Sequence, residues 1–272
     1  MIRRIRLVAW HVFKESVRDR VLYAIGAFAL LLVGASIAIG QLSAGEDVKI
    51  IKDLGLSTIE LAGVLMTIFI GVGLVAREID RRSIFGLLSK PLPRWEFVLG
   101  KYAGLILTIV VNVAAMTAAL YLMLAYLDWQ ALPVERRAWD APAADPRLLV
   151  SVLLITAELA LLTALSLFFS TFSSSALLSI VFTVGIFVTG LFSAELRGFG
   201  DIVEVSPTVA KFVGGIGWLV PAFSAFSDVK AQVVHGRAVP TAFVFYTLAY
   251  AAIYIAALLA GAVTIFSRRE FK

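Results

Sequence analysis

The stretch that decides the fold is LLVSVLLITAELALLTALSLFF, residues 148–169. It contains a single charged residue, Glu158. A membrane helix needs about 20 mostly apolar residues, because the hydrocarbon layer is about 30 Å thick and each helical residue rises about 1.5 Å. The run is apolar on every side, whereas a strand of a membrane barrel alternates apolar and polar residues. It therefore predicts a transmembrane helix.

Five more runs of this kind occur in the chain. Together, the predicted spans are Val21–Leu42, Ser57–Ala76, Tyr102–Leu127, Leu148–Phe169, Ala176–Leu196 and Thr241–Phe266. The chain is 60% hydrophobic and 16% charged, against about 45–50% and about 25% in soluble domains. The absence of cysteine excludes disulfides, thiolate zinc sites and iron–sulfur clusters. We therefore predict an all-α, polytopic integral membrane protein with six transmembrane helices.

Basic residues predict the orientation of these spans. If the N-terminus is cytoplasmic, the inner segments are 1–20, 77–101, 170–175 and 267–272, and they hold most of the 24 Lys and Arg residues. Most of the 19 acidic residues then lie in the outer loops. Because Lys and Arg resist translocation, both termini are predicted to be cytoplasmic. The net charge of +5 then reflects the cytoplasmic face, and no nucleic-acid partner is expected.

Two segments of the chain are not predicted to span. Residues 1–20, MIRRIRLVAWHVFKESVRDR, place apolar residues on one helical face and surround them with Arg and Lys. This pattern predicts an amphipathic interfacial helix ahead of the transmembrane domain, 21–272. The outer segment 197–240 contains the apolar stretch Phe212–Phe226, which is interrupted by glycines and a proline. It is too short to cross, so we expect a re-entrant or interfacial helix there.

The inner loop 77–101, REIDRRSIFGLLSKPLPRWEFVLGK, carries the most information. It is too polar to span and too long for a simple turn. Its apolar residues form a patch on a short predicted helix, which the prolines Pro91 and Pro93 end; the patch consists of Ile84, Phe85, Leu87 and Leu88. An exposed apolar patch on a compact loop indicates a docking surface. The alternative is a solvated loop that only sets the topology.

These residues resemble the first inner loop of ABC transporter permeases of the type-2 exporter class. The matching positions are Glu78, Leu87–Leu88, Pro91, Arg94 and Gly100–Lys101. The loop departs from the family pattern at Arg82–Ser83 and at Phe85, where Gly-Thr and glutamate are common. The sequence of residues 81–101 is most similar to that of the branch of multicopper-enzyme maturation permeases, which includes the nitrous-oxide-reductase maturation permease.

The resemblance implies a permease subunit of an exporter in a prokaryotic cytoplasmic (inner) membrane. A separate cytoplasmic ABC ATPase would bind ATP and Mg, and a second permease copy, identical or related, would complete the transporter. An accessory extracytoplasmic protein is a further implied partner. The residues implied to couple the permease to its ATPase are Glu78, Arg81, Arg82, Ile84, Phe85, Leu87, Leu88, Pro91 and Arg94.

The chain lacks the motifs of an enzyme. Its only Gly-Lys pair, Gly100–Lys101, is followed by Tyr102 and cannot cradle phosphates as a P-loop does. The two histidines, His11 and His235, are predicted on opposite sides of the membrane and cannot share a metal. We therefore expect no catalytic residue, cofactor or metal site in this chain. A stand-alone polytopic membrane enzyme and an ion-coupled secondary carrier remain as alternatives, and the substrate is not indicated.

Three polar residues in the spans are candidates for function. A carboxylate at mid-membrane costs about 2.5–3.5 kcal/mol on insertion scales, so Glu158 should face protein or a wet cavity. It is either a transport-path residue or a structural group, protonated or hydrogen-bonded, between helices. Asn112 is a second candidate for the transport path, or a donor that joins two helices. Glu60 is predicted near the outer end of the second span, where its side chain reaches water.

Overall fold

The computed structural model describes residues 2–40, 47–80, 93–173, 175–203 and 206–268. All regular secondary structure in these ranges is helical, which confirms the predicted class. The first helices are α1 (Ile2–Val17), α2 (Arg20–Gly40), α3 (Asp47–Asp80), α4 (Arg94–Gln130), α5 (Pro133–Ala138), α6 (Leu148–Phe172) and α7 (Ala176–Leu191). They are followed by α8 (Ser193–Arg197), α9 (Phe199–Ile202), α10 (Pro207–Leu219), α11 (Ser224–Ser227), α12 (Val229–Val234) and α13 (Thr241–Arg268).

A helix lies at each of the six predicted span positions. Within the described ranges, four helices are long and apolar enough to cross a membrane: Val48–Gly73 in α3, Arg94–Gln130, Leu148–Phe172 and Thr241–Arg268. The apolar parts of α2 and α7 are shorter. The chain is therefore a multi-pass membrane protein, and the count of six spans stays a prediction.

Several helices differ in length from the predicted spans. Helix α3 begins at Asp47 rather than Ser57, and α4 begins at Arg94 rather than Tyr102. Hydropathy detects only the apolar part of a helix, whereas the extra turns carry polar side chains with partners in the fold. In α3, for example, Lys52 is buried and its Nζ donates a hydrogen bond to the Pro142 carbonyl oxygen at 2.8 Å.

The contacts between helix ends define two ends of the bundle. Lys49 near the start of α3 pairs with Asp140 at 2.8 Å, beside the link between α4 and α6. At the opposite end, Arg94 at the start of α4 donates a hydrogen bond to the carbonyl oxygen of Ser267 in α13. We call the first the extracytoplasmic end and the second the cytoplasmic end, following the orientation that the sequence predicts.

Helices α3 and α6 form the centre of the bundle and cross at two glycines. A Cβ atom on Gly63 would overlap the Leu159 side chain, and one on Gly71 would overlap the Ser166 hydroxyl. Small residues let membrane helices approach this closely, and the close approach adds van der Waals contact over both helices. The two contact points follow one another in the same order along both helices, so α3 and α6 run in the same direction.

Helix α7 shows the inside-out pattern of a membrane helix. It buries the small and polar residues Ser179, Thr183 and Gly190 against the bundle. Its larger apolar residues, including Leu177 and Val181, are exposed. In water this arrangement would be unfavourable, whereas in lipid or against an apolar partner it is expected.

The segment between α7 and α13 folds back at the extracytoplasmic end. Helix α10 and the pair α11–α12 are bent by 57° about the break that contains Pro221. At the near side, Arg197 of α8 donates a hydrogen bond from Nε to the Gly217 carbonyl oxygen at 2.9 Å. At the far side, His235 Nδ1 lies 3.6 Å from Asp140. The bent pair fits a broken span or the re-entrant segment that the sequence predicts. We refer to α10–α12 as the re-entrant element after that prediction.

Candidate coupling surface and intramembrane site

The predicted coupling loop joins the cytoplasmic ends of α3 and α4. Glu78 lies in the last turn of α3, and α4 begins at Arg94 directly after Pro93. The other implied coupling residues fall in 81–92, outside the described residues: Arg81, Arg82, Ile84, Phe85, Leu87, Leu88 and Pro91. The structure thus fixes where the loop leaves and enters the bundle.

Arg94 connects the exit of this loop to the last helix. Its Nη1 donates to the carbonyl oxygens of Ser267 at 2.6 Å and Phe266 at 3.2 Å, at the end of α13. The last carbonyls of a helix have no partner within it and carry partial negative charge, so a guanidinium stabilises them. The Phe97 and Phe266 rings also stack, with centroids 5.8 Å apart. The first turn of α4 and the last turn of α13 are therefore joined.

The N-terminal helix packs against the next turns of α4. A Cβ atom on Gly104 would lie 2.6 Å from the Ala9 carbonyl oxygen and 2.7 Å from the Val12 Cβ atom. One on Gly100 would lie 2.7 Å from the Val8 Cβ atom. Only glycine permits this approach. The apolar face of α1, which the sequence assigns to the membrane surface, thus contacts α4.

The Gly-Lys pair at this position serves the packing of α4. Lys101 is 3% exposed, and its Nζ lies 4.7 Å from the centre of the Phe97 ring. A cation over an aromatic face is stabilised by the ring quadrupole. Glu96 is also buried in this turn, and its Oε2 atom has no hydrogen-bond partner within the described ranges.

A polar cluster joins α3 to the re-entrant element inside the bundle. The Glu60 carboxylate accepts a hydrogen bond from Ser227 Oγ at 2.8 Å and forms an ion pair with Lys230 Nζ. The side chains of Glu60 and Lys230 are 14% and 18% exposed. The sequence predicts Glu60 near the outer end of a span that starts at Ser57. The structure differs, because α3 starts at Asp47 and Glu60 lies near the middle of its apolar part.

Glu158 lies next to the α3–α6 crossing and is fully buried, at 0% exposure. It directly precedes Leu159, which contacts Gly63, and Gly63 is one helical turn from Glu60. Neither carboxylate oxygen of Glu158 has a hydrogen-bond partner among the residues that the structure describes. The charged groups that act on it are Glu60 and Lys230. The structure therefore brings Glu158 together with two residues that sequence reasoning did not combine with it.

Asn112 takes a different position. Its Nδ2 donates a hydrogen bond to the Thr108 carbonyl oxygen at 2.8 Å, one turn earlier in α4. The amide is partly buried. The described bond lies within one helix, so the two predicted path residues have different surroundings.

Polar contacts close the extracytoplasmic end above this cluster. Asp140 accepts a hydrogen bond from Lys49 and lies beside His235. The hydrogen bond and charge of Lys49, and then those of His235, hold the pKa of the Asp140 carboxyl below its usual value. Arg147 donates to the Gly236 carbonyl oxygen, and Gly236 has a φ of 67°, which favours glycine. The turn after α12 is thereby held on the link between α4 and α6.

Comparison with protein families covers nearly all of this arrangement. A family model described as ABC-2 family transporter protein matches residues 6–271. The match includes the predicted coupling loop, the spans and the re-entrant element. No curated protein matches the chain.

Proposed function

Because the chain belongs to the ABC-2 transporter family, we propose that it is the permease subunit of an ATP-driven exporter. A separate cytoplasmic ABC ATPase binds ATP and Mg and hydrolyses the nucleotide, and the permease converts this work into substrate movement across the membrane. The observation that carries the proposal is the family match over residues 6–271. The absence of a P-loop from the sequence agrees with a motor on another chain.

In this proposal the loop 77–101 is the surface on which the ATPase docks. The contacts at the start of α4 support a mechanical role, because they join three elements next to the loop. Arg94 holds the end of α13, while Gly100 and Gly104 receive α1. A displacement of the loop is then passed to α1, α4 and α13 together, as expected for a rigid-body switch.

The remaining parts of the transporter follow from the same assignment. A second permease copy, identical or related, pairs with this one, and the exposed apolar face of α7 offers surface for lipid or for that partner. Glu158 and Asn112 are the candidate residues of the transport path. The sequence of residues 81–101 supports assigning the permease to the multicopper-enzyme maturation branch. This assignment places it in a prokaryotic cytoplasmic membrane, with an accessory extracytoplasmic protein as a partner.

The test replaces the apolar end of the loop. In the full transporter, Leu87→Asp with Leu88→Asp should leave membrane insertion intact, because the loop is not in the bilayer. It should reduce transport-coupled ATP hydrolysis by at least about 10-fold, since a loss of about 1.4 kcal/mol in docking already lowers affinity tenfold. The measurement is the ATPase activity of the complex in lipid vesicles relative to that of the ATPase alone, with co-purification of the ATPase as the binding readout.

A matched control makes the same chemical change at the other end of the bundle. Leu132 and Val134 are exposed at 63% and 77% near α5, and Leu132→Asp with Val134→Asp should preserve both coupling and co-purification. Normal coupling in the Leu87 and Leu88 variant, or a permease that purifies with no ATPase in mild detergent, would remove the loop from the mechanism.

A further inference from the structure

The cluster around Glu158 has an imbalance of charge. Glu60 and Glu158 supply two carboxyl groups, and Lys230 supplies one ammonium group. Lys52, the nearest basic residue to Glu60 along α3, donates a hydrogen bond to the Pro142 carbonyl oxygen toward the extracytoplasmic end. With both carboxyl groups ionised the cluster would carry a net charge of −1 inside the bundle. An uncompensated charge at mid-membrane costs about 2.5–3.5 kcal/mol on insertion scales, which favours the uptake of one further positive charge.

The surroundings of Glu158 suit a proton better than a metal cation. Both oxygens of Glu158 are buried and lack a hydrogen-bond partner in the described part of the chain, so an added hydrogen atom displaces no existing hydrogen bond. In the same residues no group of three His, Cys, Asp or Glu side chains could hold a metal ion. The Lys230 ammonium also repels a second metal or amine cation. A proton needs no coordination shell and bonds directly to one carboxylate oxygen.

We propose that Glu158, Glu60 and Lys230 form a binding site for one proton, and that this proton keeps Lys230 paired with Glu60. We call this Lys230–Glu60 ion pair the latch. The proton comes from water, forms an O–H bond on Glu158 and returns to water on release. With the proton bound, Glu158 is neutral and the Glu60–Lys230 pair is undisturbed. Without it, a second carboxylate competes for Lys230. This inference does not depend on the ATPase assignment, because the site lies within the chain.

Release of the proton would loosen the re-entrant element. Lys230 belongs to α12, and Ser227, the other group bound to Glu60, belongs to α11. Both bonds hold this element against α3 in the interior of the bundle. A shift of Lys230 toward Glu158 weakens the hold on Glu60, so the inference gives the extracytoplasmic end a proton-dependent closure.

The first experiment detects the proton itself. Infrared difference spectra of the purified full chain, recorded between neutral and alkaline pH, where exposed carboxyl groups stay ionised, should contain the carbonyl stretch of a protonated carboxyl group. Glu158→Gln should remove that band, whereas the matched control Glu195→Gln, at an exposed acidic residue, should retain it. A band that survives in the Glu158 variant would overturn the proposal. So would a titration that moves when sodium chloride replaces choline chloride, because a metal cation would then compete for the site.

The second experiment follows the latch. The chain has no cysteine, so Val233→Cys, at a residue with 0% exposure, reports opening of α12 by its rate of maleimide labelling. Gln232→Cys, at the exposed neighbour, corrects for the pH dependence of the thiol. The ratio of the two rates should rise about 10-fold or more from acidic to alkaline pH, and Glu158→Gln should abolish the rise. An equal rise with and without Glu158 would refute the latch.

Charge balance provides a rescue that a packing defect would not show. Lys230→Met leaves two carboxyl groups without their ammonium partner and should lower the thermal midpoint and raise Val233→Cys labelling. Adding Glu60→Gln restores neutrality and should recover most of the loss. If the double variant is no better than Lys230→Met alone, the three groups do not share one charge balance and the proposal fails.

Discussion

Glycines at equivalent-looking positions in the apolar helices have different roles. Gly104 of α4 receives the backbone of α1, where an added Cβ atom would meet the Ala9 carbonyl oxygen. Gly34 of α2 has nothing within 4 Å of the place where its Cβ atom would lie. Both are single glycines within apolar runs. Their difference arises from tertiary contacts.

This difference gives a paired prediction. Gly104→Ala should destabilise the protein by about 1–3 kcal/mol, as overpacking does, because the clash is partly with backbone and α1 must shift. Gly34→Ala should be neutral or stabilising by up to about 1 kcal/mol, since alanine favours the helix. Thermal unfolding of the two purified variants in the same detergent is the measurement. Equal midpoints would show that α1 does not depend on the close approach at Gly104.

Glu60 shows what the sequence could not predict about the intramembrane site. The apolar run that begins at Ser57 places Glu60 near a span end, because hydropathy ignores the polar turns before it. Those turns are helical because Lys49 and Lys52 find partners in the link between α4 and α6. The partner Lys230 is 170 residues away in the chain, and no local pattern indicates that pairing. Glu158, in contrast, is identifiable from sequence as a lone acid in an apolar run.

At the scale of helices, the contact between the start of α4 and the end of α13 lies nearest to the predicted coupling loop, because Arg94 makes it. We call this contact the α4–α13 joint. The sequence allows a helix to restart at Arg94, because Pro93 disfavours the helical conformation in the residue before it and not in those after it. It does not indicate that the Arg94 side chain reaches the end of a helix more than 170 residues later. That contact depends on how α4 and α13 converge at the cytoplasmic end.

Removing this contact should free the end of α13. Arg94→Met keeps most of the aliphatic stem but loses the donors, so the last turn of α13 should lose about 1 kcal/mol of local stability. Hydrogen–deuterium exchange in residues 262–268 should then be several-fold faster, and Arg94→Lys should retain part of the protection. Arg18→Met, at an exposed arginine of the same end, is the control. Unchanged exchange in Arg94→Met would exclude the joint.

For the whole molecule, orientation in the membrane is the property that every functional proposal uses. The distribution of Lys and Arg predicts it, and the fold sorts the connections into two ends consistently with that prediction. Helices α2 and α7, whose described apolar parts are shorter than those of the other spans, also lie at predicted span positions.

Single cysteines in the cysteine-free chain test the orientation directly. In intact cells, Val134→Cys should react with a membrane-impermeant maleimide, because the link between α4 and α6 is predicted to face outward. Ser83→Cys, in the loop 77–101, should react only after the cells are permeabilised. The reverse labelling pattern would invert the protein and place the proposed ATPase surface outside.

Helix α4 is long enough to act as a lever. With 37 residues it is about 55 Å long, well beyond the thickness of the hydrocarbon layer of about 30 Å. A tilt of about 5° displaces one end of such a rod by about 5 Å relative to the other. Helix α1 and the end of α13 contact the first turns of α4. If α4 tilts as a rigid helix, a small rotation at its cytoplasmic end moves its extracytoplasmic end by several ångströms.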